Sequence, residues 1–143
     1  MRYEYARVLL DREPQKALRL LESLRGSVSQ EPLRGQVAFL TGEYYRRSGD
    51  LSRARDIFVG IVGASASDSA AAAQLGIARI LESQNRKVEA AEEFLKAYFL
   101  YPDAKEAAQE GLFQAGRVYW ELGDRDKGRQ LLDRLAAESP DSP

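Results

Sequence analysis

Small residues recur along this chain at Ala17, Ala54, Ala90 and Gly128, separated by 37, 36 and 38 positions, and no other feature constrains the fold as strongly. Self-similarity at such a period marks an architecture in which each repeat is one supersecondary unit that buries its apolar face against its neighbours. Large apolar residues follow four positions later, at Leu21, Phe58, Phe94 and Leu132, and another column holds Leu24, Ile61, Ala97 and Leu135. Upstream, Tyr5, Gly42, Ala78 and Gly116 lie twelve positions before the small residue, and Val8, Tyr45, Leu81 and Tyr119 nine before it. A small column beside a large one is what two closely approaching antiparallel helices need, with the ridge of one in the groove of the other.

Breaker residues divide the helices. Pro14 and Pro32 suit first-turn positions, Gly26, Gly49 and Gly123 suit helix ends, and Pro102 and Pro140 forbid continuation. The pattern predicts helices over 2–11, 14–25, 32–48, 51–62, 68–84, 87–100, 104–122 and 124–138. The run from Ala70 to Ala73 starts a helix behind the N-capping residues Ser67, Asp68 and Ser69, and residues 60–67 form the one soft joint.

With these columns in register, the chain resembles the tetratricopeptide repeat (TPR) family. The family motif places Gly and Tyr on a first helix, Ala and an aromatic on a second, and then Pro. Gly42, Tyr45, Ala54 and Phe58 match it in the second unit, Ala90, Phe94 and Pro102 in the third, and Gly116, Tyr119 and Pro140 in the fourth. The first unit keeps Ala17, Val8, Leu21 and Leu24, and the family's early Trp is replaced by Ala38, Gln74 and Leu112. The resemblance implies an all-α fold, a right-handed superhelix of about four antiparallel helix pairs, in a single domain over 1–143 with units near 1–31, 32–67, 68–103 and 104–140. From Pro102 to Gly116 is fourteen positions, about a turn more than the family pattern, so the first helices are expected to be lengthened at their N-terminal ends. With Tyr101-Pro102-Asp103 and Ser139-Pro140-Asp141, this is similar to the repeat style of bacterial cell-envelope members, such as outer-membrane assembly lipoproteins and periplasmic Tol-Pal-associated proteins. Envelope and cytoplasm stay open as compartments. No capping helix remains after 124–138: that helix caps itself, or two chains stack end to end, or, as the preferred reading, the chain is a fragment of a longer protein.

The chemistry that composition permits is narrow. There is neither Cys nor His, which removes disulfides, thiol chemistry, zinc sites and the commonest general base. A net charge of -1 lacks the excess of Lys and Arg that nucleic acid requires. The apolar stretch from Ile57 to Ala66 is too short to span a bilayer, so no direct membrane insertion is expected. No glycine-rich phosphate loop occurs, and the calcium-loop start at Asp124 and Asp126 fails at Gly128, Arg129 and Leu135. Glu89, Glu92 and Glu93 have Lys87 and Lys96 as helical neighbours and read as a solvated face. Neither a cofactor nor an enzymatic activity is expected.

The family resemblance implies a protein or peptide held on a concave surface lined by first helices. Carried over by register, this places Phe39, Glu43, Arg46 and Arg47 on it from the second unit, then Leu75, Arg79 and Glu82 from the third, and Phe113, Arg117, Trp120 and Glu121 from the fourth. The lysine and asparagine clamp of carboxylate-gripping relatives is missing, the one asparagine being Asn85. Aromatic anchors at Phe39, Phe113 and Trp120, with Arg46, Arg79 and Arg117 placed for acidic groups, suit an acidic or aromatic peptide. Phe39 and Phe113 also read as packing residues, whereas Trp120 follows the core residue Tyr119 and so points about 100° away from it. The alternative function is a structural module that self-associates through end faces or second helices.

Overall fold

The computed structural model describes residues 2–64 and 68–138, and every described element is an α-helix. In chain order these are α1 (Arg2–Arg12), α2 (Pro14–Ser27), α3 (Leu33–Ser48), α4 (Leu51–Ala64), α5 (Asp68–Ser83), α6 (Lys87–Leu100), α7 (Lys105–Glu121) and α8 (Arg125–Glu138). Bounds differ from the predicted ones by no more than two residues. Pro14 opens α2 as expected, but Gly26 lies inside α2, which runs on until Val28 caps it in extended backbone. Gly60 and Gly63 are likewise within α4, so the part of the expected joint that is described is helical. Ser67, Pro140 and the Ser139-Pro140-Asp141 motif lie outside the described residues.

Three of the turns inside helix pairs are built alike. Gly49, Asn85 and Gly123, each five positions before its small residue, have φ of +94°, +62° and +93°. This left-handed conformation suits Gly, and Asn when Gly is missing. It lets the next N–H reach back: Asp50 N–H donates to the Tyr45 carbonyl at 2.9 Å, Arg86 to Leu81 at 2.9 Å and Asp124 to Tyr119 at 3.0 Å. Asp50 and Asp124 then cap the following helices, each accepting the N–H three residues on at 3.2 Å. Asn85 is therefore a turn residue in its own right, holding the place of glycine.

The first pair departs from this rule. Only Glu13 separates α1 from α2, and the equivalent of Gly49 is Arg12, inside the helix. With the turn shortened, α1 is rotated relative to the expected register: Ala6, Leu9 and Leu10 are buried, while Tyr5 and Val8 are exposed. The first-unit members of those two upstream columns are thus Ala6 and Leu9, not Tyr5 and Val8.

Elsewhere the columns are the core. Ala17, Ala54 and Ala90 have no exposure, as do Leu21 and Phe58, and Phe94 has 1%. Gly128 is the one buried residue of α8 among those described, with Leu132 and Leu135 half-buried.

The chain divides into two compact units, Met1–Gly76 and Ile77–Pro143, with the division inside α5. In the first, α1 packs on α2 and α3, and α3 on both α2 and α4. A cluster of Leu9, Leu10, Leu21, Leu24, Val37 and Leu40 forms its core, and the Phe58 ring fits where Gly42 and Gly76 leave room. In the second, α7 packs on α6 and α8. Two of its close approaches are backbone to backbone: a Cβ on Gly111 would strike the Phe94 carbonyl, and one on Gly128 would stand 2.9 Å from the Gly116 carbonyl.

Candidate functional site

The residues assigned to a partner-binding surface fall into both units. In unit 1, Glu43 lies on α3 and is only 5% exposed. A buried carboxylate needs a compensating charge. Arg46, one turn on, supplies it with two hydrogen bonds, Nε to Oε1 and Nη2 to Oε2, both 2.9 Å. That bidentate bond raises the Arg46 pKa above its ordinary value, so the guanidinium stays charged. Arg47 reaches Asp11 of α1 with Nη1 and lies 3.6 Å from Glu43 Oε2 with Nε. Phe39 is half-buried, its ring centroid 5.7 Å from that of Phe58, and Leu75 is buried. Of the five positions expected here, Arg47 is the most exposed.

In unit 2 the polar residues form one connected network. Arg117 uses every nitrogen of its guanidinium: Nε donates to Gln114 Oε1 at 2.7 Å, Nη1 to Glu121 Oε2 at 2.8 Å, and Nη2 to both Glu82 oxygens at 2.9 Å. Gln114 in turn donates to Glu110, which faces Arg79 at 3.8 Å, and Lys87 lies 3.9 Å from Glu121. The arrangement ties α7 to the end of α5 and the start of α6. Opposite charges spaced three or four residues apart along α7, at Arg117 and Glu121, meet because they lie on one helix face. Glu110 and Gln114 escaped the sequence reading, although the spacing 110, 114, 117, 121 on one helix is the signal that would have found them; Lys87 was read there only as part of a solvated face.

Arg46, Arg79 and Arg117 were expected to face acidic groups of a partner. All three are paired within the chain, so each face carries counter-charges of its own. The exposed large apolar residues of α7 are both aromatic. Phe113 is 42% exposed and Trp120 39%, while Tyr119 beside it is buried. Seven residues apart, the two aromatics lie about 20° from each other around the helix and roughly 10 Å apart along it. They form a stripe. The Arg125 guanidinium, 5.1 Å from the Trp120 ring, covers one side of the indole by a cation–π contact.

The described residues offer neither of two other kinds of site. No group of acidic side chains there is arranged to hold a metal ion, and no helix is long and apolar enough to cross a membrane.

Among the described residues, eight helices in pairs, keyed on a buried small residue and repeating at a near-constant period, define the class: an all-α helix-pair repeat protein. Family models described as tetratricopeptide repeat match residues 3–69 and 63–105, and a further one matches 110–142. The chain belongs to the tetratricopeptide repeat family, whose members generally bind proteins or peptides and typically serve as non-catalytic scaffolds. No curated protein matches the sequence. Among solved structures it is similar to a crystal structure of nearly identical TPR-like repeats assigned to a kinesin light chain of Podosopora anserina, with 19% identity and a TM-score of 0.68, covering 99% of this chain and 76% of that one. At that identity the likeness concerns the fold alone.

Proposed function

We propose that the chain is a scaffold that holds a protein or peptide partner on its first-helix faces, with the α7 stripe of Phe113 and Trp120 as the anchor. The observation that carries this is the pairing of those exposed rings with an Arg117 whose hydrogen-bonding capacity is already used by Glu82, Glu121 and Gln114. A partner gains most there by covering aromatic surface, since such anchors carry a large share of binding energy. The remaining positions, Phe39, Glu43, Arg46, Arg47 and Leu75 in unit 1 and Arg79 and Glu82 in unit 2, shape and rigidify these faces. In this reading the sequence is organised as the four helix-pair units given above.

A photo-crosslinking residue at Phe113 tests the assignment when compared with one at Val59, on α4. The partner is expected to be captured from position 113 and lost in Trp120→Ala, with helicity unchanged. Capture from position 59 alone would overturn it.

First helices of 16 and 17 residues in α3, α5 and α7, against 14 in their partners, support a repeat style like that of bacterial cell-envelope members. A second reading, self-assembly through second helices, is favoured by Val88, Phe99 and Leu100, all more than half exposed on α6. Sedimentation over a range of concentrations decides it, a concentration-independent monomer removing it.

A further inference from the structure

Each unit carries a cleft at the same place in its repeat. In unit 1 it measures about 370 Å³ and lies over the N-terminal half of α3, with Arg25 of α2 on one side and Ala64 of α4 on the other. In unit 2 a cleft of about 520 Å³ lies over the start of α7, with Tyr98 of α6 and Glu138 of α8 in those positions. The register makes them equivalents: Arg25 and Tyr98 each stand eight positions after their small residue, and Ala64 and Glu138 each ten after theirs.

The two clefts differ in what closes them. In unit 2 the Tyr98 hydroxyl donates to the Glu138 carboxylate across the opening, and the Phe99 ring packs edge-on against Tyr98 with centroids 4.9 Å apart. In unit 1 the equivalents of Tyr98 and Phe99 are Arg25 and Gly26, and Ala64 replaces the carboxylate, so no such strut can form. Its floor is small and aliphatic: Gly35, Ala38, Ile57, Gly60 and Ile61.

Its rim is basic. Arg25, Arg34 and Arg53 line it against the carboxylates of Glu31 and Asp56. Arg25 makes no ion pair among the described residues. Arg34 holds an exposed contact of 3.6 Å to Glu31, and Arg53 one of 3.6 Å to Asp50 together with a cation–π contact to the Tyr45 ring, 4.8 Å away. Pairs of that kind are worth little and are readily exchanged. At this cleft the arginines are thus less committed than Arg46 and Arg117.

We infer that this cleft is a second docking site, on the second-helix side of unit 1, for an acidic segment of another protein that presents an aromatic side chain. The ring packs against Ala38, Ile57 and Ile61, in a cleft that no Tyr–Glu strut spans. Flanking carboxylates meet Arg25, Arg34 and Arg53. Charge complementarity selects an acidic segment over a basic one, and the small-residue floor gives the ring room.

A synthetic peptide with a single Phe set between runs of Asp and Glu is the probe, followed by amide chemical shifts of the isotope-labelled chain. Saturable shifts are expected at Ala38, Ile57, Gly60 and Ala64, with Trp120 emission unchanged. A Cβ on Gly60 would meet nothing within 4 Å, so Gly60→Leu fills the cleft without disturbing the fold and removes a helix glycine. It should weaken the peptide by at least about tenfold at an equal or higher melting temperature. Arg25→Glu should weaken it several-fold and flatten its dependence on salt. The inference is overturned if the peptide fails to bind, if Gly60→Leu binds it equally well, if replacing the acidic residues by Lys leaves affinity unchanged, or if the shifts fall on α7 instead.

Discussion

In unit 1 an aromatic ring lies between helices: a Cβ on Gly42 or Gly76 would come within 2.5 or 2.6 Å of Phe58 ring atoms. In unit 2 two glycines lie against main chain instead, Gly111 at the Phe94 carbonyl and Gly128 at the Gly116 carbonyl, while Gly116 faces the Leu132 side chain. The same repeat therefore closes its core in two ways. A ring can tilt to relieve crowding, whereas a carbonyl inside a helix cannot move without distorting the helix. Charge divides by site and not by unit, since Arg46 in unit 1 is held by Glu43 as firmly as Arg117 is held in unit 2. Unit 2 commits Arg117 to a network spanning α5, α6 and α7, while unit 1 leaves Arg25 uncommitted at the cleft. The lesson is that a repeat keeps its spacing while its units diverge in what they leave available.

The largest effect should come from the core. Phe58→Ala is expected to cost about 4 kcal/mol, the usual range for a fully buried aromatic. Gly111→Ala should cost about 3 kcal/mol by overpacking against main chain, and Gly42→Ala less, about 1 kcal/mol, because the Phe58 ring can yield. Urea unfolding followed by circular dichroism measures all three, and a Gly42→Ala loss equal to that of Gly111→Ala would break the contrast.

Arg117→Glu comes next. It sets a third carboxylate beside Glu82 and Glu121, and about 2 kcal/mol should be lost after allowing for partial exposure. Arg25→Glu, in the other unit, should change stability by less than about 0.5 kcal/mol. Similar losses for both would mean that the two arginines are not differently committed.

A smaller effect is expected at the turn where Asn85 replaces glycine. Asn85→Ala should destabilise by about 1 kcal/mol because its φ is positive, and Asn85→Gly should be neutral or gain a few tenths, about 0.3 kcal/mol. Thermal melts of the pair test it.

The smallest effect concerns Tyr98, whose hydrogen bond to Glu138 holds its phenol above the ordinary pKa, with burial adding to the shift. A raised acid in the folded state stabilises below the unfolded phenol pKa, and that contribution fades as pH rises through the folded value. Glu138→Gln should lower the Tyr98 pKa, read from ring chemical shifts. An unmoved value would remove the strut across the unit 2 cleft.

Most of the fold was legible because its determinants are local and repeat. The small column, the Gly-Asp turns and the prolines each act within a few residues. Asn85 was harder to read, since it performs a glycine's task with a different side chain. The register of α1 was hidden by a one-residue shortening of its turn, which only the burial of Ala6 and Leu9 reveals. The candidate site was legible in part. Trp120 does point away from buried Tyr119 as helix geometry requires, but the engagement of Arg117 by Glu82 joins residues 35 apart in the chain. The clefts were illegible for the same reason, since each is lined by three helices.

Trp120 is the chain's single tryptophan, so its emission reports on the α7 stripe alone. Titrating the crosslinked partner, once identified, into the intact chain tests the central claim most directly. Burial of the indole should shift its emission to the blue with the same midpoint as binding measured independently. Saturated binding with unchanged Trp120 emission would contradict the claim that the α7 stripe anchors the partner.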